Sequence, residues 1–246
     1  MEKYLKEIAE NTSSRPSFQV VLTGNDSRLR SIFIPPLTAG CRYEIALVSL
    51  ETYYSFPNID ERNNRIKVFS KKWIEVIIPT GCYELKAINN EVKRQVVDLG
   101  GKKDDVTLSP NLNTFKCEMT LGVGIKVDFT ETNSLRTVLG FEPGIYTEKL
   151  NISQHTVNIM RVNSILVCCD LIGSSYINGR QQPISFTFFP DVEPGEKIVM
   201  RPKTLIYLPI TLDIIPQMTV WLTDQDNTAL DLRGEKLTIK YHIRSC

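Results

Sequence analysis

The residues with the clearest potential for chemistry lie near the C-terminus, in the stretch WLTDQDNTALDLRGEKLTI. Counted from Asp224, the carboxylates Asp224, Asp226 and Glu235 occupy positions 1, 3 and 12 of a calcium-loop template. That template needs glycine at position 6 and helices on both sides, whereas Ala229 stands at position 6 and the flanks are β-prone. We therefore predict a connection between two strands, built by side-chain-to-backbone turn bonds and by Gly234, with a metal site at the three acids as the alternative.

Other catalytic signatures are missing from the sequence. His155 and His242 belong to no zinc-binding pattern, and neither a nucleophile elbow nor a phosphate-binding loop occurs. The adjacent Cys168 and Cys169 lie in the apolar run SILVCCDLI, where thiols behave as small hydrophobic groups. We predict no enzyme and no cofactor. A hydrolase that uses two of the 28 acidic residues stays open as a rival, although no spacing selects a pair.

Composition excludes several further classes of function. The 246 residues carry a net charge of +1, and the basic pairs Lys71-Lys72 and Lys102-Lys103 are too short to form a cationic surface, so no specific nucleic acid is expected. The N-terminus has no apolar export signal and no run is long enough to span a bilayer. The six cysteines form no C-x-x-C pair, which favours buried free thiols in a reducing compartment.

The periodicity of apolar residues predicts mostly strands. Residues 1–16 are expected to form an arm or short helix, and short β-prone runs separated by Pro, Gly and Asn follow. RYEIALVSLETYY has two partly apolar faces and is typical of a central strand, and Asn178-Gly179 is a hairpin signal. FKCEMTLG and IKVDF are expected to pair with each other around Gly122-Val123-Gly124.

Two short helices interrupt this pattern. In YELKAINNEVKRQVV apolar residues recur at helical spacing, and NSLRTVLGF is expected to form a short helix that ends at Gly140. The whole pattern predicts an all-β sandwich or barrel with short accessory helices. We expect one elaborated sandwich over residues 17–246, with two packed β-domains that meet near residue 145 as the alternative.

Five segments, taken in order, resemble a known family. They are YEIALVSLETYYSFPNID, PTGCYELKAINNEV, LRTVLGF, NSILVCCDLIGSSYINGRQQPISFTFFPDVEPGEKIVMRPKTLIYLPI and MTVWLTDQDNTALDLRGEKLTIKYHIR. The set is similar to the minor capsid, or penton, proteins of Polinton (Maverick) elements and their adintovirus relatives. The resemblance covers roughly residues 18 to 244 and implies a jelly-roll capsid protein of the virion, made in the cytoplasm or nucleus of a host cell.

The resemblance also implies partners. It predicts a homopentamer at the vertices of an icosahedral capsid, next to a separate double jelly-roll major capsid protein. Interface cores favour aromatic residues and Arg, so Tyr53, Tyr54, Phe56 and Arg233 are the candidate contacts, with a role as caps of the sandwich end as the alternative for the aromatic residues. The chain is short, which leaves little room for a large insertion domain. A jelly-roll ligand-binding module, such as a lectin, is the rival function.

Overall fold

The computed structural model describes residues 17–38, 42–210, 212 and 214–245. These residues divide into two compact units: unit 1 comprises the chain up to Ser55 and from Val162 onward, and unit 2 comprises Phe56–Arg161. Unit 2 is therefore inserted into the sequence of unit 1, and neither boundary lies at residue 145. The predicted arm, residues 1–16, lies outside the described residues.

Eighteen strands and two helices are formed by the described residues. The helices are α1 (Leu85–Asp98) and α2 (Arg136–Leu139). The strands, in chain order, are β1 (Ser17–Gly24), β2 (Arg28–Thr38), β3 (Tyr43–Tyr53), β4 (Arg65–Ser70), β5 (Lys72–Ile77), β6 (Val106–Asn111), β7 (Lys116–Leu121), β8 (Lys126–Asp128), β9 (Ile145–Tyr146), β10 (Leu150–Thr156), β11 (Ile165–Cys169), β12 (Ser175–Ile177), β13 (Arg180–Gln182), β14 (Ile184–Phe188), β15 (Lys197–Met200), β16 (Leu208–Pro209), β17 (Ile214–Thr223) and β18 (Leu237–Ser245).

Unit 1 is a jelly roll. One antiparallel sheet has the strand order β1-β18-β3-β15, with β16 also paired to β3, and the other has the order β14-β11-β17-β2. If the eight main strands are numbered along unit 1, the orders become 1-8-3-6 and 5-4-7-2, so the first and last strands are neighbours. This arrangement is that of two interleaved Greek keys, and it confirms the predicted all-β jelly-roll sandwich.

Alternation along the strands builds the core of unit 1. In β18 the side chains of Leu237, Ile239, Tyr241 and Ile243 are fully buried, and the residues between them lie on the outer face. The Tyr241 hydroxyl lies 2.7 Å from Ser185 Oγ on β14, and that Oγ donates to the Val167 carbonyl at 2.8 Å. A short hydrogen-bond chain thus joins the two sheets inside an apolar core.

Several local predictions are confirmed in unit 1. β3 lies between β18 and β15, as expected of a central strand. Asn178 and Gly179 connect β12 to β13 and both have positive φ, 49° and 76°, which is the backbone that an Asn-Gly hairpin turn requires. Cys168 and Cys169 are buried free thiols on β11.

Unit 2 has its own core. It contains the sheets β5-β4-β8-β9 and β10-β7-β6, and α1 packs against β5 and β6. The buried stripe of α1 consists of Leu85, Ile88, Val92 and Val96, as the spacing of these residues predicts. α2 ends at Gly140, whose φ of 81° confirms the predicted helix stop.

Two expectations are wrong in unit 2. β7 and β8 do not pair with each other, because β7 lies between β6 and β10 whereas β8 joins β4 and β9. The expectation of little room for an insertion domain is also wrong, since the whole of Phe56–Arg161 is inserted between β3 and β11. The two local β-patterns predicted β7 and β8, apart from Phe115, which precedes β7, but they could not identify the partners of these strands.

Polar groups join the entering and leaving segments of unit 2. The Asn58 side-chain amide donates to the carbonyls of Tyr83, at 2.7 Å, and Ile159, at 3.0 Å. Asp60 accepts hydrogen bonds from Arg62 and, at 2.9 Å, from Arg161. The Arg62 side chain, with further help from its backbone amide and Arg161, lowers the pKa of Asp60 to about 2. These contacts fasten the two ends of the inserted segment to each other.

Candidate assembly surface

The acidic stretch that follows β17 is a backbone-bonded turn. Asp224 is 7% exposed, and its Oδ1 accepts the amide protons of Asp226, at 2.9 Å, and Thr228, at 2.8 Å. Asn227 and Gly234 have positive φ, 62° and 79°. Asp224 therefore uses its carboxylate to hold the connection between β17 and β18, as the turn interpretation predicts.

The other candidate metal ligands do not join Asp224. Asp226 and Glu235 are exposed, and the described residues contain no group of three His, Cys, Asp or Glu that could hold a metal ion. Arg233, a candidate interface residue, is exposed, and its amide donates to Asp231 Oδ1 at 2.8 Å. Its position at the end of a turn leaves it a candidate for contact with a neighbouring molecule.

The aromatic run TYYSFPN extends beyond the end of β3 at Tyr53, and most of its residues are buried. The Tyr54 amide donates to the Glu196 carbonyl at 2.9 Å, so pairing continues beyond the end of β3. Tyr54 is 7% exposed and Phe56 4%, whereas Tyr53 is 39% exposed. Tyr54 and Phe56 are therefore core residues of this chain, and only Tyr53 stays available as an aromatic contact.

Among the described residues, strand β1 is an edge strand of unusual composition. It pairs with β18 along all eight residues and forms one edge of its sheet. Its sequence, SFQVVLTG, contains no charged residue and no proline, and Val21 is exposed on its outer face. Edge strands of monomers are usually blunted by charges, prolines or bulges, because open backbone groups pair with other chains. The sequence predicts a strand at SFQVVLTG but not its edge position, although the lack of charge is visible in the sequence.

A second exposed surface lies on the β2–β17 ladder. Ile32 and Ile34 on β2 are 63% and 91% exposed, and Ile214 on β17 is 60% exposed. The register places Gln217 opposite Ile32 and Ile214 opposite Thr38, and a register shift between Ile215 and Gln217 separates these two pairs. Single exposed apolar residues are common, but three exposed isoleucines on one strand pair are typical of a surface that another molecule covers. We call these three residues the isoleucine ladder.

The histidines and thiols have structural surroundings. His242 Nδ1 lies 2.7 Å from the Tyr207 hydroxyl on the outer face of unit 1, and His155 lies 2.6 Å from Glu142 on the surface of unit 2. Burial raises the pKa of the Cys168 thiol to about 11 and that of Cys117 to about 12, which leaves both protonated at neutral pH. These two thiols are consequently poor nucleophiles.

Comparison with solved structures finds a likeness in fold, whereas the sequence comparisons find no match. No protein-family model matches the chain, and no curated protein matches it. The fold is similar to the crystal structure of the mavirus penton protein, with a TM-score of 0.49 and 13% sequence identity, over 94% of this chain and 100% of the other. Neither helix in the described part of the chain has the length and apolar composition needed to cross a bilayer.

Proposed function

We propose that this chain is a structural minor capsid protein of the penton type, which assembles as a homopentamer at the vertices of an icosahedral capsid. The complete jelly-roll strand order of unit 1 is the observation that carries this proposal, because jelly rolls are a standard building block of viral capsids. The role is architectural rather than catalytic. A fold alone does not identify a function, and the ordered sequence segments that resemble Polinton and adintovirus penton proteins point to the penton role in particular.

Two exposed surfaces of unit 1 support assembly. A fivefold ring needs a heterologous interface, in which one patch meets a different patch on the next subunit. The uncharged β1 edge and the isoleucine ladder are distinct patches, one on each sheet: the first offers open backbone groups to a neighbouring strand and the second offers exposed apolar area. Tyr53 and Arg233 are further candidates for these contacts.

The same connection that raised the calcium hypothesis favours a structural role. A lectin that used Asp224 as a cation ligand would need its carboxylate oxygens, yet Oδ1 already accepts two backbone amides. The partner that we propose is a double jelly-roll major capsid protein, and the site of action is the capsid vertex of a Polinton-type or adintovirus-like virus or integrated element. The chain would be made in the cytoplasm or nucleus of the host cell.

Oligomeric state tests the proposal. Light scattering after size-exclusion chromatography and negative-stain microscopy should show pentamers and fivefold rings, alone or on mixing with the major capsid protein. Ile32→Lys combined with Ile214→Lys should shift the pentamer to monomer, because a desolvated lysine has no partner at an apolar contact. Leu112→Lys, at an exposed apolar residue of unit 2, is the matched control and should leave the pentamer intact.

Two results would count against the capsid role. A monomer that persists at high concentration and in the presence of the major capsid protein would exclude vertex assembly. Calorimetric binding of calcium or a sugar at micromolar concentration would instead favour the lectin-like module.

A further inference from the structure

Three segments of unit 2 converge on one buried carboxylate, Asp105. Its Oδ2 accepts a hydrogen bond from Ser70 Oγ at 3.0 Å and another from the Lys102 amide at 2.8 Å. The Gly122 amide donates to the Asp105 carbonyl at 3.0 Å. Asp105 thus ties together the β4–β5 turn, the loop that follows α1 and the β7–β8 turn.

This convergence concentrates lysines that are separate in the sequence. Lys71 and Lys72 follow Ser70, while Lys102 and Lys103 precede Asp105, and all four are exposed. Ser70 Oγ and the Lys102 amide bind the same oxygen, so the two lysine pairs are neighbours in space. On the adjacent strand, the Lys126 ammonium lies 5.6 Å from the centre of the Phe69 ring. We call this corner of unit 2 the lysine-rich tip.

Few acids offset the charge of the lysine-rich tip. Asp105 is buried and bonded as described, and the exposed Asp104 lies 3.6 Å from another lysine, Lys93. Short basic pairs that appeared too small to matter in the sequence therefore form one cationic surface. Such a surface attracts anionic partners at a range set by ionic strength.

Exposed apolar side chains lie among the lysines. Val123, between two glycines at the β7–β8 turn, is 106% exposed, and Trp73 at the start of β5 is 45% exposed. Leu99, which follows α1, is 44% exposed and lies three residues before Lys102. Trp73 also contacts Phe69 edge to face, with ring centres 5.4 Å apart, which holds the indole at the surface. The tip thus presents apolar groups and positive charge side by side.

We propose that the lysine-rich tip binds the surface of an anionic lipid bilayer. Tryptophan and aliphatic side chains enter the headgroup region, while lysines next to them gain from the negative surface potential. The five cations of the tip are all lysine, whereas planar, bidentate recognition of phosphate in nucleic acids favours arginine. A fully exposed valine would gain nothing from a sulfated glycan, so the lipid surface explains both parts of the tip.

Vesicle flotation with the full chain tests this inference. The chain should float with phosphatidylcholine vesicles that contain phosphatidylserine and not with pure phosphatidylcholine. The variant with Lys71, Lys72, Lys102 and Lys103 all changed to Gln should bind roughly a hundredfold more weakly or worse, since each lysine near an anionic surface contributes appreciably. The matched control changes four exposed lysines elsewhere, Lys86, Lys149, Lys203 and Lys236, to Gln and should retain binding to within about threefold.

A second readout separates insertion from charge attraction. Trp73 fluorescence should shift to shorter wavelength on binding, and Val123→Ser should weaken the binding that persists at high salt without changing the fold. Three results would overturn the proposal. They are equal binding to neutral and anionic vesicles, an equal loss of vesicle binding in the control variant, and binding to heparin without binding to vesicles. The last result would assign the tip to a sulfated polyanion instead.

Discussion

The hydrogen-bond chain from Tyr241 through Ser185 to Val167 runs in one direction, so we expect substitutions of Tyr241 and of Ser185 to lower the free energy of unfolding by different amounts. Ser185 donates to the Val167 carbonyl, so the shared hydrogen bond must run from the Tyr241 hydroxyl to Ser185 Oγ. Tyr241→Phe removes this donor and leaves Ser185 bonded, which should lower the free energy of unfolding by about 1 kcal/mol. Ser185→Ala leaves a fully buried hydroxyl without its acceptor and should cost more, about 1–3 kcal/mol.

The double variant decides whether this account is correct. Once the hydroxyl is gone, Ser185→Ala leaves no unsatisfied donor on β18, so the two costs should fall short of additivity by about 1 kcal/mol. Urea unfolding can be followed by Trp221 fluorescence in a Trp73→Phe background, which reports unit 1 alone. Tyr176→Phe, at an exposed tyrosine, is the control and should change the free energy of unfolding by less than about 0.5 kcal/mol.

Additive costs, or a larger cost for Tyr241→Phe than for Ser185→Ala, would refute this donor assignment. A pH series gives an independent check. Burial raises the pKa of Tyr241 well above its ordinary value, so the unfolded chain loses this proton first as pH rises. Stability should therefore be retained below about pH 10 and fall above it, and Tyr241→Phe should reduce that alkaline loss.

Two further predictions concern the acid limb of stability and the thiols. The lowered pKa of Asp60 contributes stability that is present above about pH 4 and is lost as pH falls toward 2. Asp60→Asn should therefore lower the free energy of unfolding by about 1–2 kcal/mol at pH 7 and reduce the loss of stability between about pH 4 and pH 2 in a series of urea denaturations. An unchanged loss of stability at acid pH would exclude the Arg62 and Arg161 contacts as its cause. Burial raises the pKa of the Cys169 thiol to about 12, as it does for Cys117. Iodoacetamide at pH 8 should therefore label these two cysteines only after unfolding, which peptide mass spectrometry can measure. Rapid labelling of the folded chain would contradict their burial.

Local sequence patterns predicted helices and turns correctly where the residues of one short segment determine the structure. The apolar stripe of α1 sets its helical face, and Gly140 and Asn178-Gly179 need the positive φ values that they adopt. The pattern failed at Phe115, which continues the alternation of β7 in the sequence but lies in a turn with φ of 56° and is exposed. A side chain at the end of a strand has no further neighbour to hold it in register.

The candidate site was less predictable than the fold. Tyr54 and Phe56 are aromatic residues of the kind that is common at protein interfaces. Both are buried, and the backbone of Tyr54 still pairs with Glu196 beyond the end of β3, so they belong to the core. The turn role expected of Asp224 depends on bonds to amides two and four residues away, which is why spacing alone revealed it. The β1 edge was missed because a strand's sequence does not show whether it will lie at the edge or the centre of a sheet.

The sequence by itself determined that this chain is mostly β, where its helices and several of its tight turns lie, and which faces of its strands are apolar, because these properties depend on neighbours within a few residues. Only the tertiary structure decided that β1 pairs with β18, that Phe56–Arg161 forms a separate unit inserted into the sequence of the jelly roll, and that Lys71 lies beside Lys102. Those outcomes depend on which distant segments bury each other's surfaces, and period-two alternation specifies a face without specifying a partner.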